Sequence, residues 1–344
     1  MAAQDRKNAG MQRNAFLNQL RQGRVNGAWL FEGRDDYLMR GALKEVRAQL
    51  LPAGLAEMNE TLLSAPSTDG LIAACETLPF LADQRLVIVT EQAGFTGRAE
   101  ADERLTAYLP KVPPTCLLLF LCRGDADRRK KLTKAMMDAK RMVSFSPMEG
   151  PELQDWIIAS FAEQGKRCGA AQARELQMIA GTEAQRLTGE IAKLSAMAGE
   201  SAEISSELIA RGATPMLEYT VFQMVDAVVA GQRQAAFEEM RTLLRNGESR
   251  LGILALLLRQ YRMLQHLKIF QHERVPASEW EERLGMRGRG FAVDKYRRQA
   301  QNLSAGAVRR AVNLCLETEY RVKSGQIAED GCLEAVMLRL LQDK

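Results

Sequence analysis

The sequence predicts an α/β domain built on a parallel sheet, followed by all-helical parts, and three observations carry that reading. Before about residue 150, short apolar runs alternate with helix-like segments, the order that builds a sheet wrapped by helices. Two of the runs, Leu86-Val87-Ile88-Val89 and TCLLLFLC (115–122), are apolar at nearly every position, as strands buried on both faces are. Beyond residue 150 no segment reads as a strand, and apolar residues recur at helical spacing. The expected class is α/β plus all-α, with domains at 1–148, 149–214 and 215–344.

Taken in order, the expected strands are GAWLFEG (27–33), NETLLSA (59–65), RLVIVTE (85–91), TCLLLFLC (115–122) and MVSFSP (142–147). Helices are expected between them at 35–51, 68–78 and 128–139. From 150 to 214, the segments PELQDWIIASFAEQG, AQARELQMIAG and AQRLTGEIAKLSAMAG each close on a glycine where a helix C-cap belongs, which predicts a three- or four-helix module. The last part is heavier. Its segment 249–270 carries leucines around more than one face, as a helix buried in a bundle or an oligomer interface does. A polar, arginine-rich link (272–290) follows, then three more helical patterns ending near Gln342.

One stretch does not fit this grammar. Leu78, Phe80 and Leu81 flank Pro79, which cannot continue a helix and biases Leu78 away from helical geometry. Three large apolar side chains therefore lie on a bend between elements, where a chain usually runs over the surface. They either close the bottom of the domain's own core or serve as anchors for a partner.

Composition bounds the rest. The chain has 344 residues, 46% apolar and 26% charged, ordinary values for a protein with two or three cores. No apolar run approaches the roughly 20 residues needed to span a bilayer. The start, MAAQDRKNAGMQRN, lacks the apolar core of a signal peptide, so a cytoplasmic protein is expected, with no membrane partner. The cysteines, at 75, 116, 122, 168, 315 and 332, form no CxxC pair and read as thiols in a reducing compartment. The net charge of +4 lies in the last third, which has 20 Lys and Arg against 16 Asp and Glu from Met216 onward. That surplus suits a solvated helical surface at least as well as nucleic acid.

Catalytic chemistry is not in evidence. The turn after the first long strand, FEGRDDYLMRGAL (31–43), has Gly33 but not the GxxxxGK[ST] pattern; Asp35 and Asp36 occupy the turn and would repel a triphosphate. The single Gly-Lys, Gly165-Lys166, lacks the spaced glycine upstream. Only two histidines exist, His266 and His272, at no metal-ligand spacing, and there is no GxSxG elbow. No catalytic, cofactor-binding or metal residues are therefore assigned. Asp125 and Asp127 follow a strand, where a carboxylate could hold a metal, but no phosphate loop faces them. The basic run Arg128, Arg129, Lys130, Lys131 and Lys134 fits a solvated helix surface or a face that tracks a phosphate backbone.

These segments together carry a resemblance. FEGRDDYL (31–38), LPFLADQRLVIV (78–89), DRRKKLTKAM (127–136), PELQDWI (151–157), GEIAKL (189–194), FQMVDAVVAG (222–231), LLLRQYRMLQHLK (256–268) and YRVKSGQ (320–326) resemble, in order, landmarks of the delta-subunit family of the bacterial DNA polymerase III clamp loader. None is specific alone, but eight in the right order are hard to obtain by chance.

The resemblance implies an AAA+ module that has lost nucleotide binding, a small helical lid and a helical collar that assembles with related subunits. It implies binding of the ring-shaped beta sliding clamp, whose ring is opened or held open so that the assembly can load it on primed DNA. The implied clamp-binding residues are Phe80 and Leu81, with Leu78 beside them, at the end of helix 68–78; this matches an aromatic and an aliphatic anchor seated in a desolvated pocket. Gamma/tau and delta-prime subunits are the implied partners, and ATP hydrolysis belongs to them. The cysteine zinc site and the Ser-Arg-Cys stretch of those partners have no counterpart; Lys166-Arg167-Cys168 is only superficially similar. Two readings compete: an active AAA+ ATPase or helicase, which would need the missing lysine and acidic pair, and a helical scaffold that binds nucleic acid through 283–310, including Arg287, Arg289, Arg297 and Arg298.

Overall fold

A computed structural model describes residues 11–51, 54–286 and 290–342. The chain divides into two compact units, Met1–Pro147 and Met148–Lys344.

The first unit is a parallel sheet of six strands among the described residues, in the order β1-β6-β2-β5-β4-β3. The strands are β1 (Met11–Gln12), β2 (Gly27–Gly33), β3 (Glu60–Ser64), β4 (Arg85–Thr90), β5 (Cys116–Arg123) and β6 (Met142–Phe145). The apolar runs of β4 and β5 lie side by side, Leu86 opposite Leu117 and Val89 opposite Phe120, and these four side chains are fully buried. The alternating β3, by contrast, is an edge strand, as β1 is on the other side.

Each face of the sheet is covered. Helices α1 (Arg13–Arg21) and α2 (Asp36–Leu50) lie on one side. There Phe16 meets Trp29 and Phe31 edge to face, both at 5.0 Å between ring centroids, and Phe31 meets Phe145 at 4.8 Å. A short α3 (Ala56–Asn59) leads into β3. The other side is closed by α4 (Thr68–Glu76), α5 (Glu103–Tyr108) and α6 (Lys131–Asp138), whose Leu71, Leu105, Leu132 and Met136 pack with Leu30, Val87, Val89, Leu118 and Phe120.

Three boundaries differ from the sequence expectation. Helix 68–78 ends at Glu76, because Thr77 is extended ahead of the bend that Pro79 imposes. Helix 128–139 begins at Lys131; Asp127 takes a backbone bond from Arg129 and turns the preceding residues out of the helix. The short β1 and α1 lie before the first expected strand; a two-residue strand is too brief for a period-2 pattern.

The second unit is helical. Its first part comprises α7 (Gly150–Glu163), α8 (Ala170–Ala180), α9 (Ala184–Met197) and α10 (Ser206–Gly212). Gly181 ends α8 at φ +88, and a Cβ there would sit 3.0 Å from the Met216 sulfur, so both conformation and space ask for glycine. The second part runs through α11 (Leu217–Ala230), α12 (Arg233–Arg245), α13 (Arg250–His272), α14 (Trp280–Arg283), α15 (Gly290–Gln301), α16 (Ala305–Lys323) and α17 (Cys332–Gln342). The segment 272–290, expected as a polar link, thus holds the short α14, anchored by buried Trp280 whose indole N–H donates to Val275 O at 3.0 Å. The long α13 buries Ile253, Leu254, Leu257, Leu258, Tyr261, Leu264 and Leu267. One polar network crosses this core: Gln260 Nε2 donates to Gln299 Oε1 at 2.7 Å, and Gln299 Nε2 donates to Asp226 Oδ1 at 2.7 Å and Phe222 O at 3.1 Å. Buried amides placed in this way fix helix register. Both helical parts belong to the one unit, and Met216 N–H donates to Ile179 O at 2.7 Å where they join.

Candidate functional site

A parallel sheet offers two ends, and the residues treat them differently. At the C-terminal end of β2, where a phosphate loop would lie, the chain is tied shut. Gly33 N–H donates to Gly124 O at 2.9 Å and Gly124 N–H returns a bond to Gly33 O at 2.7 Å, joining the turns after β2 and β5. A Cβ on Gly33, at φ +134, would lie 2.1 Å from Phe145 O, so the backbones are in contact. Asp35 caps α2, its Oδ1 accepting from Leu38 N–H at 3.0 Å. Its carboxylate occupies the helix N-terminus that would otherwise attract a phosphate. Arg34 pairs with Asp125 at 2.8 Å.

Beneath this turn lies buried Glu32, fully used by the protein. It accepts from Ala126 N–H at 2.8 Å, Ser144 Oγ at 2.6 Å and Arg128 Nη2 at 2.7 Å. Arg128 is therefore a structural counter-ion. Lys130 is buried too, its Nζ donating to Glu100 Oε1 at 2.8 Å, Ala99 O at 3.1 Å and Arg98 O at 3.3 Å. Arg129 pairs with Asp127 at 2.8 Å and Lys131 with Glu103 at 2.7 Å, both on the surface, and Lys134 is exposed on α6. Of the basic run, only Arg129, Lys131 and Lys134 are exposed. In the competing arginine segment, Arg297 pairs with Asp294 at 3.2 Å and Arg298 is exposed; Arg287 and Arg289 lie outside the described residues.

Among the described residues no three His, Cys, Asp or Glu side chains gather in a way that could hold a metal. The cysteines are buried, and burial pushes Cys122 and Cys168 up to about 11 and Cys315 to about 12, which keeps them as unreactive thiols.

At the opposite, N-terminal end of the sheet the apolar bend stands open. Leu78 is 77% exposed, Phe80 51% and Leu81 76%, so these side chains do not close the core. The backbone beneath them is held by two buried polar residues. Asn59, 0% exposed at the end of α3, accepts from Phe80 N–H at 2.7 Å and donates to Phe80 O at 2.9 Å and Leu55 O at 3.1 Å. Arg85, 6% exposed at the start of β4, donates to Thr77 O at 3.2 Å, Leu78 O at 3.5 Å and Thr61 Oγ1 at 2.8 Å. Leu81 is held at φ +49, a conformation costing a non-glycine residue about 1–2 kcal/mol. The bend thus presents a strained, exposed leucine and a half-exposed phenylalanine to solvent with the main chain of Phe80 pinned.

Sequence reasoning singled out Leu78, Phe80 and Leu81 on the bend but not Asn59 and Arg85. The available signal was a lone arginine opening the apolar run RLVIVT and a lone asparagine just before β3. Each is a polar residue at a buried position, and such a residue must find partners.

Comparison with known proteins bears on both units. Residues 29–146 match the family model described as DNA polymerase III, delta subunit, and residues 218–340 match DNA polymerase III delta subunit, C-terminal domain. The DNA polymerase III subunit delta of Bacillus subtilis (strain 168) is 24% identical over 332 residues, 94% of this chain and 95% of that one. That of Escherichia coli (strain K12) is 23% identical over 322 residues, 89% of this chain and 88% of that one. In structure, the Bacillus subtilis DNA clamp loader delta protein aligns with a TM-score of 0.67 at 23% identity, over 96% of this chain and 99% of that one.

Proposed function

This chain belongs to the DNA polymerase III delta-subunit family of the clamp loader, and we propose that its task there is to seize the beta sliding clamp through Leu78, Phe80 and Leu81. The observation that carries this reading is the pinned, exposed bend, with three large apolar side chains outside the core. A rigid anchor suits a pocket because little conformational entropy remains to be lost on binding.

Holding the ring open requires no reaction at this subunit. If the bend binds an opened or relaxed ring edge better than the closed one, that difference in affinity shifts the ring's equilibrium. The tied turn at Gly33 supports a subunit that leaves ATP to others. In this reading gamma/tau and delta-prime subunits are its partners in the cytoplasm, and the assembly acts on primed DNA. Residues 149–214 serve as lid and 215–344 as collar. Arg129, Lys131 and Lys134 are the residues of the basic run left to face a nucleic acid.

The test is the double variant Phe80→Ala/Leu81→Ala, assayed by thermal unfolding and by titration with the cognate clamp. The expected outcome is a small change in melting temperature, since most of this area is already in solvent, with a loss of about 2–4 kcal/mol of binding for each well-seated anchor. A large fall in melting temperature with clamp affinity per folded molecule unchanged would sink the reading.

A further inference from the structure

The edge strand β3 follows the Asn59 that holds the anchor bend, and among the described residues no strand pairs with its outer side. Its sequence, Glu-Thr-Leu-Leu-Ser, contains neither the lysine nor the proline that commonly blunt an edge strand. Leu62, in the middle of this edge, is 64% exposed, and Met58, one residue before the Asn59 that holds Phe80, is 60% exposed.

The backbone is open as well. Ala65 N–H, just past the strand, donates inward to Thr90 O at 2.9 Å. In a parallel ladder alternate residues point the same way, so the amides of Thr61 and Leu63 also face β4 while those of Leu62 and Ser64 face outward. The amide of Glu60 is taken by Ala56 O, and its carboxylate is gripped by Arg47 at 2.6 and 2.8 Å, which fixes the start of the strand. Arg85 ties strand and bend together, since one guanidinium holds both Thr61 Oγ1 and Leu78 O.

Area indicates what covers this edge. Three side chains exposed by 51–77% offer at most roughly 500 Å², taking about 250 Å² as the limit for a large side chain, against about 800 Å² per partner in a specific interface. A partner that seats the anchors must touch more of this end of the sheet; the exposed apolar side chains of the neighbouring edge are Met58, next to the Asn59 that holds Phe80, and Leu62, which its pairing with Ile88 places on the α1/α2 face.

We propose that the docking face extends from the bend onto β3: the same ring protein covers Met58 and Leu62 and lays an extended segment along the free edge, bonding the outward amides of Leu62 and Ser64. This deepens the clamp-binding reading and rests on it. Strand addition of this kind draws affinity from main-chain bonds and selectivity from the alternate side chains.

The experiment uses the full chain and the purified clamp. Leu62→Lys and Met58→Lys, both at exposed positions, are expected to keep the melting temperature of the parent and each to lower clamp affinity about tenfold, less than Phe80→Ala does. Hydrogen exchange over residues 60–64 should slow when the clamp is added. Unchanged affinity in both lysine variants, or exchange over 60–64 indifferent to the clamp, overturns the extension while the anchor reading stands on Phe80→Ala. A parent chain that does not bind the clamp at all overturns both.

Discussion

Asn59 offers the sharpest separation of a residue that supports an anchor from one that is an anchor. Its amide makes three bonds, at 2.7 and 2.9 Å to the main chain of Phe80 and at 3.1 Å to Leu55 O, and it touches no solvent. Replacing it with alanine removes all three. At about 1 kcal/mol net apiece the upper end is about 3 kcal/mol, and because the bend is exposed water can satisfy part of what is freed, so the expected stability loss is about 1–3 kcal/mol. The effect on binding has a different origin. An unpinned Phe80 must be ordered again on the clamp, and fixing one residue's backbone costs about 1–2 kcal/mol. Clamp affinity per folded molecule should therefore fall by about 5- to 30-fold, although Asn59 itself is buried beneath the bend. Calorimetric titration with the clamp, corrected by thermal unfolding for the folded fraction, measures both numbers on one sample. If Asn59→Ala loses the expected stability yet binds the clamp as tightly as its parent, the pinning is structural only and the preorganisation argument is wrong.

Further outcomes follow from the same geometry. Arg128→Ala strands the buried Glu32 carboxylate and should cost about 3 kcal/mol of stability, whereas Lys134→Ala should leave thermal unfolding unchanged; equal effects would mean that Arg128 is not the counter-ion of Glu32. Leu81→Gly should be more stable than Leu81→Ala by about 1 kcal/mol, because glycine accepts φ +49 freely, while both lose clamp affinity; the reverse order of stability would refute strain at Leu81. Burial raises the Asp226 carboxyl above its ordinary value, against the opposing effects of its bond from Gln299 and of Lys295 and Arg298. The unfolded chain then gives up this proton more readily, so ionisation favours unfolding and the contribution worsens as pH rises from about 4 toward neutrality. Asp226→Asn should therefore be at least as stable as its parent at pH 7, with any advantage vanishing as pH falls; an advantage of the parent that grows with pH would contradict this.

What could be read from the sequence depended on whether a signal is local. The runs of β4 and β5 are apolar because both faces are covered, and that requirement is written in consecutive residues; so is the bend, because Pro79 acts on its own neighbours. The partners of Asn59 and Arg85 were out of reach. Asn59 meets Phe80 across 21 residues, and Arg85 meets Thr61 across 24, contacts that only the parallel pairing of β3 with β4 creates. The basic run misled for the same reason: Arg128 reads as a surface cation until Glu32, 96 residues before it, is seen beneath it. Composition reports charge, but only topology shows which charges are already spent on the protein's own carboxylates.

The two ends of the sheet express one principle in opposite directions. At the C-terminal end the Gly33 amide bonds Gly124, the N-terminus of α2 donates to Asp35, and Arg128 bonds Glu32, so these groups are spent within the chain. At the N-terminal end Asn59 and Arg85 bond main-chain groups of the bend internally, but the effect there is to leave the apolar side chains on the outside. A polar group satisfied within the chain has little left to offer a nucleotide, whereas an apolar side chain left in water gains by finding a protein pocket. On the proposed reading, one frame thus closes one end of its sheet with internal bonds and offers a protein-binding bend at the other, without change in the strands between them.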